Sequence, residues 1–221
     1  MTTKIWFLTG NHGKVAEAQH HLRPLGYEVI QLMPDGVTIT EPQADTLREV
    51  ALSKIEQAKH HLPSEDDLLL VEDAGLFVDA LDDFPGVYSS FVLRTLQCSG
   101  ILRLLNHLIS EDPVQSAKVR SARFEAVAAL WDGSEVIFGQ GVCPGSIAYQ
   151  VTEGEGFGFD PVFIPSDLDE FGEPLEPGNY GVLSTHGATF GAVGQEIKEA
   201  FSHRTRALDD LIRQLKANQG Q

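Results

Sequence analysis

The chain has 221 residues, 42% of them hydrophobic, and a formal net charge of −16 from 32 acidic and 16 basic side chains. A globular chain of this length can bury a substantial core, and its acidity argues against duplex nucleic acid as a partner, because such binders need a basic face. The two cysteines lack C-x-x-C spacing and no apolar run approaches the length of a membrane span, so we expect a soluble cytoplasmic protein with no zinc site, disulfide framework or membrane partner.

The first half of the chain predicts strands and helices in alternation. Three apolar runs are typical of strands, and two stretches with apolar residues at helical spacing separate them. The predicted strands are residues 4–9, 27–32 and 68–71, and the predicted helices are residues 15–22 and 46–60. This βαβαβ order indicates an α/β fold.

The second half of the chain has a different pattern. Its short apolar runs, "SARFEAVAAL", "SEVIFGQGV" and "GSIAYQV", are separated by turn residues at Asp132-Gly133 and Pro144-Gly145, which predicts antiparallel strands and a second lobe. Residues 166–188 are rich in Gly, Pro and acidic residues and predict a long surface loop. A closing helix carries Leu208, Leu211, Ile212 and Leu215.

The segment "TGNHGK", Thr9 to Lys14, has the composition of a phosphate-binding loop between a strand and a helix. It is not a Walker loop, because only two residues separate Gly10 from Gly13 and Val15 follows the lysine. A cation in the first turn of a helix is unfavourable unless an anion lies there, and the glycines allow an anion to approach the helix N-terminus closely. The alternative is an ordinary connection with a solvated lysine.

Lys54 lies on the face of the second predicted helix that should pack inward, because it follows Val50 by four residues and Leu47 by seven. One interpretation is that its stem is packed while the ammonium group reaches water. The other is that the ammonium group meets a partner anion in a cleft between the lobes.

Glu72 and Asp73 end an apolar strand, where α/β sheets place their ligand sites. Strand neighbours point to opposite faces, so at most one of the two carboxylates reaches a given cleft directly. A carboxylate in that position could hold Mg²⁺ or orient a water molecule. The alternative is a solvated strand end, the class to which we assign Asp79, Asp82 and Asp83.

Two later motifs contain further candidates. In "GEGFGFDPVF", Phe157 and Phe159 lie among glycines on a predicted turn, where they could stack on a flat ring or form a hydrophobic plug. Ser202 is a candidate N-cap for the last helix, which puts His203 and Arg204 in its first turn. Such cations at a positive helix end indicate an acceptor-rich partner or an exposed basic cap.

Five motifs in this order resemble the inosine triphosphate pyrophosphatase family, whose members hydrolyse deaminated purine nucleoside triphosphates such as ITP, dITP and XTP. They are "TGNHGK", Glu41 with the helix bearing Lys54, "EDAGL" with "VDAL" and "PGVYSS", "GFGFDPVF", and the K-x-x-x-S-H-R pattern. The resemblance covers nearly the whole chain. It implies one domain over residues 1–221, with two lobes around an elongated mixed β-sheet, a nucleotide-binding cleft between the lobes, and usually a homodimer.

The resemblance also implies roles for individual residues. It implies a Mg²⁺ cofactor held by Glu41 and Asp73, with Asp73 also the general base. The phosphate-binding loop that it implies consists of Thr9, Gly10, Asn11, His12, Gly13 and Lys14, and the further substrate lysines that it implies are Lys54 and Lys198. The remaining substrate-binding positions are Ala74, Phe157, Gly158, Phe159, Asp160, His203 and Arg204. Three positions depart from the common pattern: Val50 and Glu199 where Asn is usual, and Ala74 where Ser or Thr is frequent.

The implied substrates suggest how the base is chosen. Hypoxanthine and xanthine present a 6-oxo acceptor where adenine presents an amino donor, so we expect hydrogen-bond donors in the base site. The candidates are Arg204, His203 and the backbone N–H groups of residues 157–160, with Phe157 or Phe159 as the stacking face. Two alternatives stay open: a related pyrophosphatase with another base preference, and a nucleotide-binding module without catalysis.

Overall fold

A computed structural model describes residues 3–34, 36, 38–64, 66–154, 157–176 and 179–219 of the chain. The strands in this part are β1 (Thr3–Leu8), β2 (Tyr27–Leu32), β3 (Leu68–Val78), β4 (Ser121–Trp131), β5 (Val136–Ile147) and β6 (Phe163–Pro165). The α-helices are α1 (His12–Leu22), α2 (Leu47–Ala58), α3 (Ser89–Thr95), α4 (Gln97–Leu104), α5 (Pro113–Val119), α6 (Gln195–Phe201) and α7 (His203–Gln219). No helix among the described residues combines the length and apolarity that crossing a membrane requires.

The strands form one sheet in the order β2-β1-β3-β4-β5-β6. Strand β1 is parallel to β2 and to β3, with Leu8 opposite Leu32 on one side and Val71 on the other. Strands β5 and β6 are antiparallel, with Ser146 opposite Ile164. The sheet is therefore mixed, and with its helices it confirms the predicted α/β fold.

The chain divides into two compact units. The first unit consists of Met1–Ala74, Ala126–Gly141 and Arg204–Gln221, and the second of Gly75–Glu125 and Val142–His203. Strands β3, β4 and β5 contribute residues to both units. The core of the first unit includes Ile5, Phe7, Leu22, Leu70, Leu130, Leu208, Leu211 and Leu215. The core of the second unit includes Leu76, Val92, Ile101, Phe124, Phe159, Phe163, Phe190 and Phe201.

Both tryptophans of the chain lie in the first unit. Trp6 on β1 donates its Nε1–H to Asp67 Oδ2 at 2.8 Å. The ammonium group of Lys59 lies 4.9 Å from the ring centroid of Trp131, at the end of β4. The aromatic side chains of the second unit are accordingly phenylalanines, tyrosines and histidines.

The two helices predicted in the first half begin and end at local signals. Helix α1 begins after Asn11, whose side chain caps it, and a 3-10 turn over Arg23–Leu25 leads to the left-handed Gly26 (φ 87°). Helix α2 begins after Thr46, which forms a capping box with Glu49. Both predicted helices are confirmed.

Two predictions about the strands are wrong. Pro144-Gly145 is not a turn but lies inside β5, so the two runs around it form one strand. A Cβ on Gly145 would lie 2.2 Å from the carbonyl oxygen of Ile164, so the glycine permits the close approach of β6 instead of a turn. Strand β3 continues past Val71 to Val78 because the 11-residue β4 is its other neighbour in the sheet. The sequence pattern also did not predict α3, α4, α5, α6 or β6.

Residues 166–188 form the predicted loop in their described parts, 166–176 and 179–188, which hold isolated bridges but no helix or strand. The loop is not confined to the surface. Leu168 is 3% exposed and Thr185 is 6% exposed, and Leu168 belongs to the core of the second unit.

Candidate functional site

The predicted phosphate loop "TGNHGK" connects β1 to α1 in the first unit, and its four central residues are exposed. Its own groups hold its shape, because the N–H of Asn11 donates to Thr9 Oγ1 at 3.1 Å and the N–H of Gly13 donates to Asn11 Oδ1 at 2.8 Å. Gln31 of β2 donates to the carbonyl oxygen of Thr9 at 2.7 Å. The loop is thus anchored, while the exposed first turn of α1 is accessible to an anion.

The structure places an anion beside Lys14. Glu72 Oε1 lies 3.2 Å from Lys14 Nζ and 2.8 Å from Arg204 Nε. The side chain of Glu72 is 2% exposed and that of Lys14 is 18% exposed. Burial favours the neutral form of Glu72, but Lys14 and Arg204 outweigh it, so the pKa of Glu72 lies below its ordinary value. The interpretation of Lys14 as a solvated lysine in an ordinary connection is therefore wrong.

Lys54 also has carboxylate partners. Its Nζ lies 2.7 Å from Glu41 Oε1 and 3.0 Å from Asp73 Oδ1, and its side chain is 13% exposed. Burial opposes the charge of Lys54, but Asp73 and Glu41 outweigh it and raise the pKa of the ammonium group. Burial also raises the pKa of Asp73, and Lys54 offsets that rise only in part. The interpretation in which the ammonium group of Lys54 reaches water is wrong.

Glu72 and Asp73 lie on β3 immediately after Val71, where the parallel pairing with β1 ends. One carboxylate meets Lys14 and Arg204, and the other meets Lys54. These separate partners confirm that the two neighbours point to opposite faces. Glu72 was not among the predicted site residues, although the alternation along the strand could have indicated its separate partners.

Glu41 and Asp73 fit a Mg²⁺ ion in one respect, because their carboxylates converge on a single ammonium group. Two negative charges face one positive charge there, and Glu41 is 56% exposed. Protein sites commonly bind Mg²⁺ through one or two carboxylates, with water and substrate phosphates as the other ligands. Within the described residues no group of three or more His, Cys, Asp or Glu side chains is arranged for a metal, so the fit is to a site that phosphate and water would complete.

The two aromatic residues of "GFGFDPVF" have different environments in the second unit. Phe159 is 4% exposed and belongs to the core, whereas Phe157 is 53% exposed. Lys198 Nζ lies 4.2 Å from the ring centroid of Phe157 and forms a short ion pair with the buried Asp160. The plug interpretation therefore holds for Phe159, and Phe157 is the ring that is accessible for stacking.

Hydrogen bonds within the turn engage two of the predicted backbone donors. The N–H of Phe157 donates to Asp160 Oδ2 at 2.9 Å, and the N–H of Asp160 donates to the carbonyl oxygen of Phe157 at 3.2 Å. Gly158 is in the left-handed region (φ 65°), and its carbonyl oxygen accepts a hydrogen bond from Cys98 Sγ at 3.4 Å. The segment is therefore a closed turn with one exposed ring.

The last helix begins at His203, directly after Ser202, as predicted. His203 is 5% exposed, and its ring stacks on Phe124 at a centroid distance of 4.9 Å and an angle of 13°. Arg204, the next residue, is the partner of Glu72. Ala74, the remaining predicted position, packs against the core of the first unit.

Asp79 and Asp83, which the sequence assigns to solvated carboxylates, lie in the second unit. Their side chains are 52% and 54% exposed, and both accept from Arg123 Nη1, at 3.2 and 2.8 Å. They are exposed as predicted but belong to a surface ion-pair group, a kind of interaction that contributes little to stability.

Comparisons with known proteins agree on one family. The Ham1 family model matches residues 5–214. A dITP/XTP pyrophosphatase of Thermococcus kodakarensis is 40% identical over 97% of this chain and 98% of its own length. A dITP/XTP pyrophosphatase of Ignicoccus hospitalis is 35% identical over 97% of this chain and 98% of its own length. A HAM1 protein structure from Coxiella burnetii has a TM-score of 0.73 at 27% identity, covering 97% of this chain and 99% of that one.

Proposed function

The chain belongs to the Ham1 family, and on that premise we propose that it hydrolyses deaminated purine nucleoside triphosphates, such as dITP, XTP and ITP, to the monophosphate and pyrophosphate. Relatives that match almost their whole length carry the name dITP/XTP pyrophosphatase. The observation that carries the proposal is a pair of cation–carboxylate clusters at the point where the parallel pairing of β1 with β3 ends. One is Lys14 and Arg204 on Glu72, and the other is Lys54 on Glu41 and Asp73.

The cations supply the local positive charge that a triphosphate needs in a protein of net charge −16. Lys14 lies beside the exposed N-terminus of α1, whose N–H groups and dipole favour phosphate oxygens. The cluster around Glu72 carries two positive charges and one negative charge, so it still attracts an anion. We therefore assign phosphate binding to the loop and to Lys14 and Lys54; the assignment of Lys198 as a further substrate lysine comes from the resemblance.

Asp73 is the residue that we assign to the chemical step. It accepts a proton from the water whose oxygen attacks the α-phosphorus, and the bond from that phosphorus to the bridging oxygen breaks to release pyrophosphate. Burial raises the pKa of Asp73 towards neutral pH, which suits a general base. Lys54 holds the carboxylate in place at 3.0 Å. Mg²⁺, held by Glu41 and Asp73, would supply charge neutralisation at the phosphates and acidify bound water.

Phe157 and His203, both of the second unit, are among the groups that we assign to the base. Phe157 offers an exposed ring for stacking, and Asp160 and Lys198 fix the turn beside it. Donors to the 6-oxo group of hypoxanthine or xanthine would be Arg204 and His203. A site built to hydrogen-bond a group rejects an analogue that lacks it by as much as about 10⁴–10⁵-fold, which is the basis for discrimination against adenine.

The deciding experiment incubates purified protein and Mg²⁺ with ITP, dITP, XTP, GTP, ATP and CTP, and resolves monophosphate, diphosphate, phosphate and pyrophosphate. We expect pyrophosphate and monophosphate from the deaminated purines, and no release without a divalent cation. The Asp73→Asn variant, purified identically, controls for contaminating phosphatases. Stoichiometric orthophosphate release, or binding without turnover, would reject the proposal in favour of another hydrolase or a nucleotide-binding module. Pyrophosphate release with a preference for a different base would favour the alternative of a related pyrophosphatase with another base preference.

Two further properties come from the resemblance. We propose that the protein is a homodimer and that it acts in the cytoplasm, where the nucleotide pool is located. Light scattering after size exclusion tests the first property, since the chain mass is 24.1 kDa. A mass near the chain mass over a range of concentrations would reject the dimer.

A further inference from the structure

Glu72 is the most deeply buried of the six charged side chains in the two clusters, and one of its oxygens serves two cations. We propose that Glu72 is a positioning residue that couples Lys14 to Arg204, so that neither cation holds its place independently of the other. The meaning of this coupling for nucleotide binding rests on the proposed function. The coupling itself is a property of the ligand-free protein.

The positions of the two cations make a shared anion necessary. Lys14 lies in the first turn of α1 and Arg204 in the first turn of α7, and both are positive ends of helix dipoles, where a cation is unfavourable. Both cations nevertheless approach the same atom, Glu72 Oε1, at 3.2 and 2.8 Å. Without that carboxylate, two like charges would lie close together on side chains that are only 18% and 15% exposed.

The geometry also explains why the coupling is mutual. A buried carboxylate that loses one of two cations keeps the other, so each single loss is partly compensated. Loss of both cations leaves Glu72, at 2% exposure, as an unpaired buried charge. Lys54 offers the matched comparison, because its ammonium group meets Glu41 and Asp73 and not Glu72.

A double-mutant cycle in the ligand-free protein tests the coupling. Lys14→Met, Arg204→Met and the double variant are unfolded in urea with a chelator present, in the wild-type and in the Glu72→Gln background. With Glu72 present, the double variant should lose more folding stability than the two single variants lose together, and the excess should correspond to a factor of about 3–100 in the folding equilibrium constant. In the Glu72→Gln background the excess should vanish. The losses of folding stability caused by Lys54→Met and Arg204→Met should be additive in both backgrounds.

A second variant keeps the test decisive if Glu72→Gln alone does not fold. The triple variant Lys14→Met, Glu72→Gln and Arg204→Met removes all three charges, and buried ion triads can be replaced by neutral groups without loss of stability. It should therefore be more stable than the Lys14→Met and Arg204→Met double variant. Additive losses with Glu72 present, or a triple variant no more stable than the double, overturn the proposal.

Kinetics separate this inference from the proposed function. Glu72→Gln should lower kcat/KM for ITP by about 10²-fold, the cost of misplaced binding groups, whereas Asp210→Asn, which removes a carboxylate paired with Arg213 on the same helix as Arg204, should not. An increase in kcat/KM would show that Glu72 only opposes phosphate, and would reject the positioning role. If no triphosphate is hydrolysed, the proposed function fails while the unfolding cycle still decides the coupling.

Discussion

Replacing Phe157 and Phe159 separately by alanine should have different consequences, a loss of activity for Phe157 and a loss of stability for Phe159, although only one residue separates them in the chain. Phe159 is 4% exposed in the core of the second unit, and Phe→Ala at such a site costs about 3–5 kcal/mol. Phe157 is 53% exposed, so its truncation removes only part of that burial and the contact with Lys198, worth about 0.5–1 kcal/mol at an exposed site. Comparing the two alanine variants therefore separates the effect on folding stability from the effect on stacking of the base.

The expected loss of activity comes from the stacking energy. A base on an aromatic ring contributes about 1–3 kcal/mol, so Phe157→Ala should lower kcat/KM for ITP by about 5- to 150-fold, with an unfolding free energy within about 1.5 kcal/mol of wild type. Urea unfolding followed by circular dichroism and steady-state kinetics measure the two quantities. Phe157→Leu is the control that keeps apolar volume without the ring. Equal destabilisation by both alanine variants, or full activity of Phe157→Ala, would refute this reasoning.

Four further outcomes follow from the charged clusters. Asp73→Asn should lower kcat by at least about 10²–10⁴-fold, the usual cost of a lost general base. Its circular dichroism spectrum should be unchanged, because Glu41 still pairs with Lys54. Near-wild-type turnover would exclude Asp73 as the base. Lys14→Ala should raise KM for every triphosphate tested, because phosphates do not report base identity, and an effect on one base alone would contradict the phosphate assignment. Arg204→Ala should lower kcat/KM for ITP far more than for ATP, so the ratio between them is the measurement; equal losses would assign Arg204 to the phosphates. The pKa of Glu72 is lowered in the folded protein, so the stability that its ionised form contributes is present above the ordinary pKa of 4.5 and is lost as pH falls through the folded pKa. Urea unfolding midpoints measured over a range of acid pH, with a chelator present, should therefore show a decrease in stability in wild type that is absent from Glu72→Gln.

The features that the sequence predicts correctly are those encoded by neighbouring residues. Helix α2 is an example, because its inward face and the capping pair Thr46 and Glu49 lie within one short segment. The opposite orientation of Glu72 and Asp73 follows likewise from the geometry of any strand. The inward position of Lys54 could be predicted, since it depends only on helical spacing.

The features that the sequence does not predict depend on residues that are distant along the chain. The turn interpretation of Pro144-Gly145 failed because the close approach of β6, and not a change of chain direction, requires the glycine. Phe157 and Phe159 belong to the same motif, and only the packing of the second unit decides which ring is buried. The shared partner of Lys14 and Arg204 joins residues 190 positions apart, beyond the reach of any local pattern.

The location of Trp6 and Trp131 makes the intrinsic fluorescence of this chain a selective probe. Both indole rings belong to the first unit, so a change in emission during denaturation reports the first unit. Far-ultraviolet circular dichroism also senses α3 to α6, whose residues belong to the second unit. Coincident midpoints from the two signals indicate one cooperative transition, whereas separated midpoints indicate that the halves lose structure in sequence. The chain thus carries a natural chromophore that distinguishes its two halves without chemical labelling.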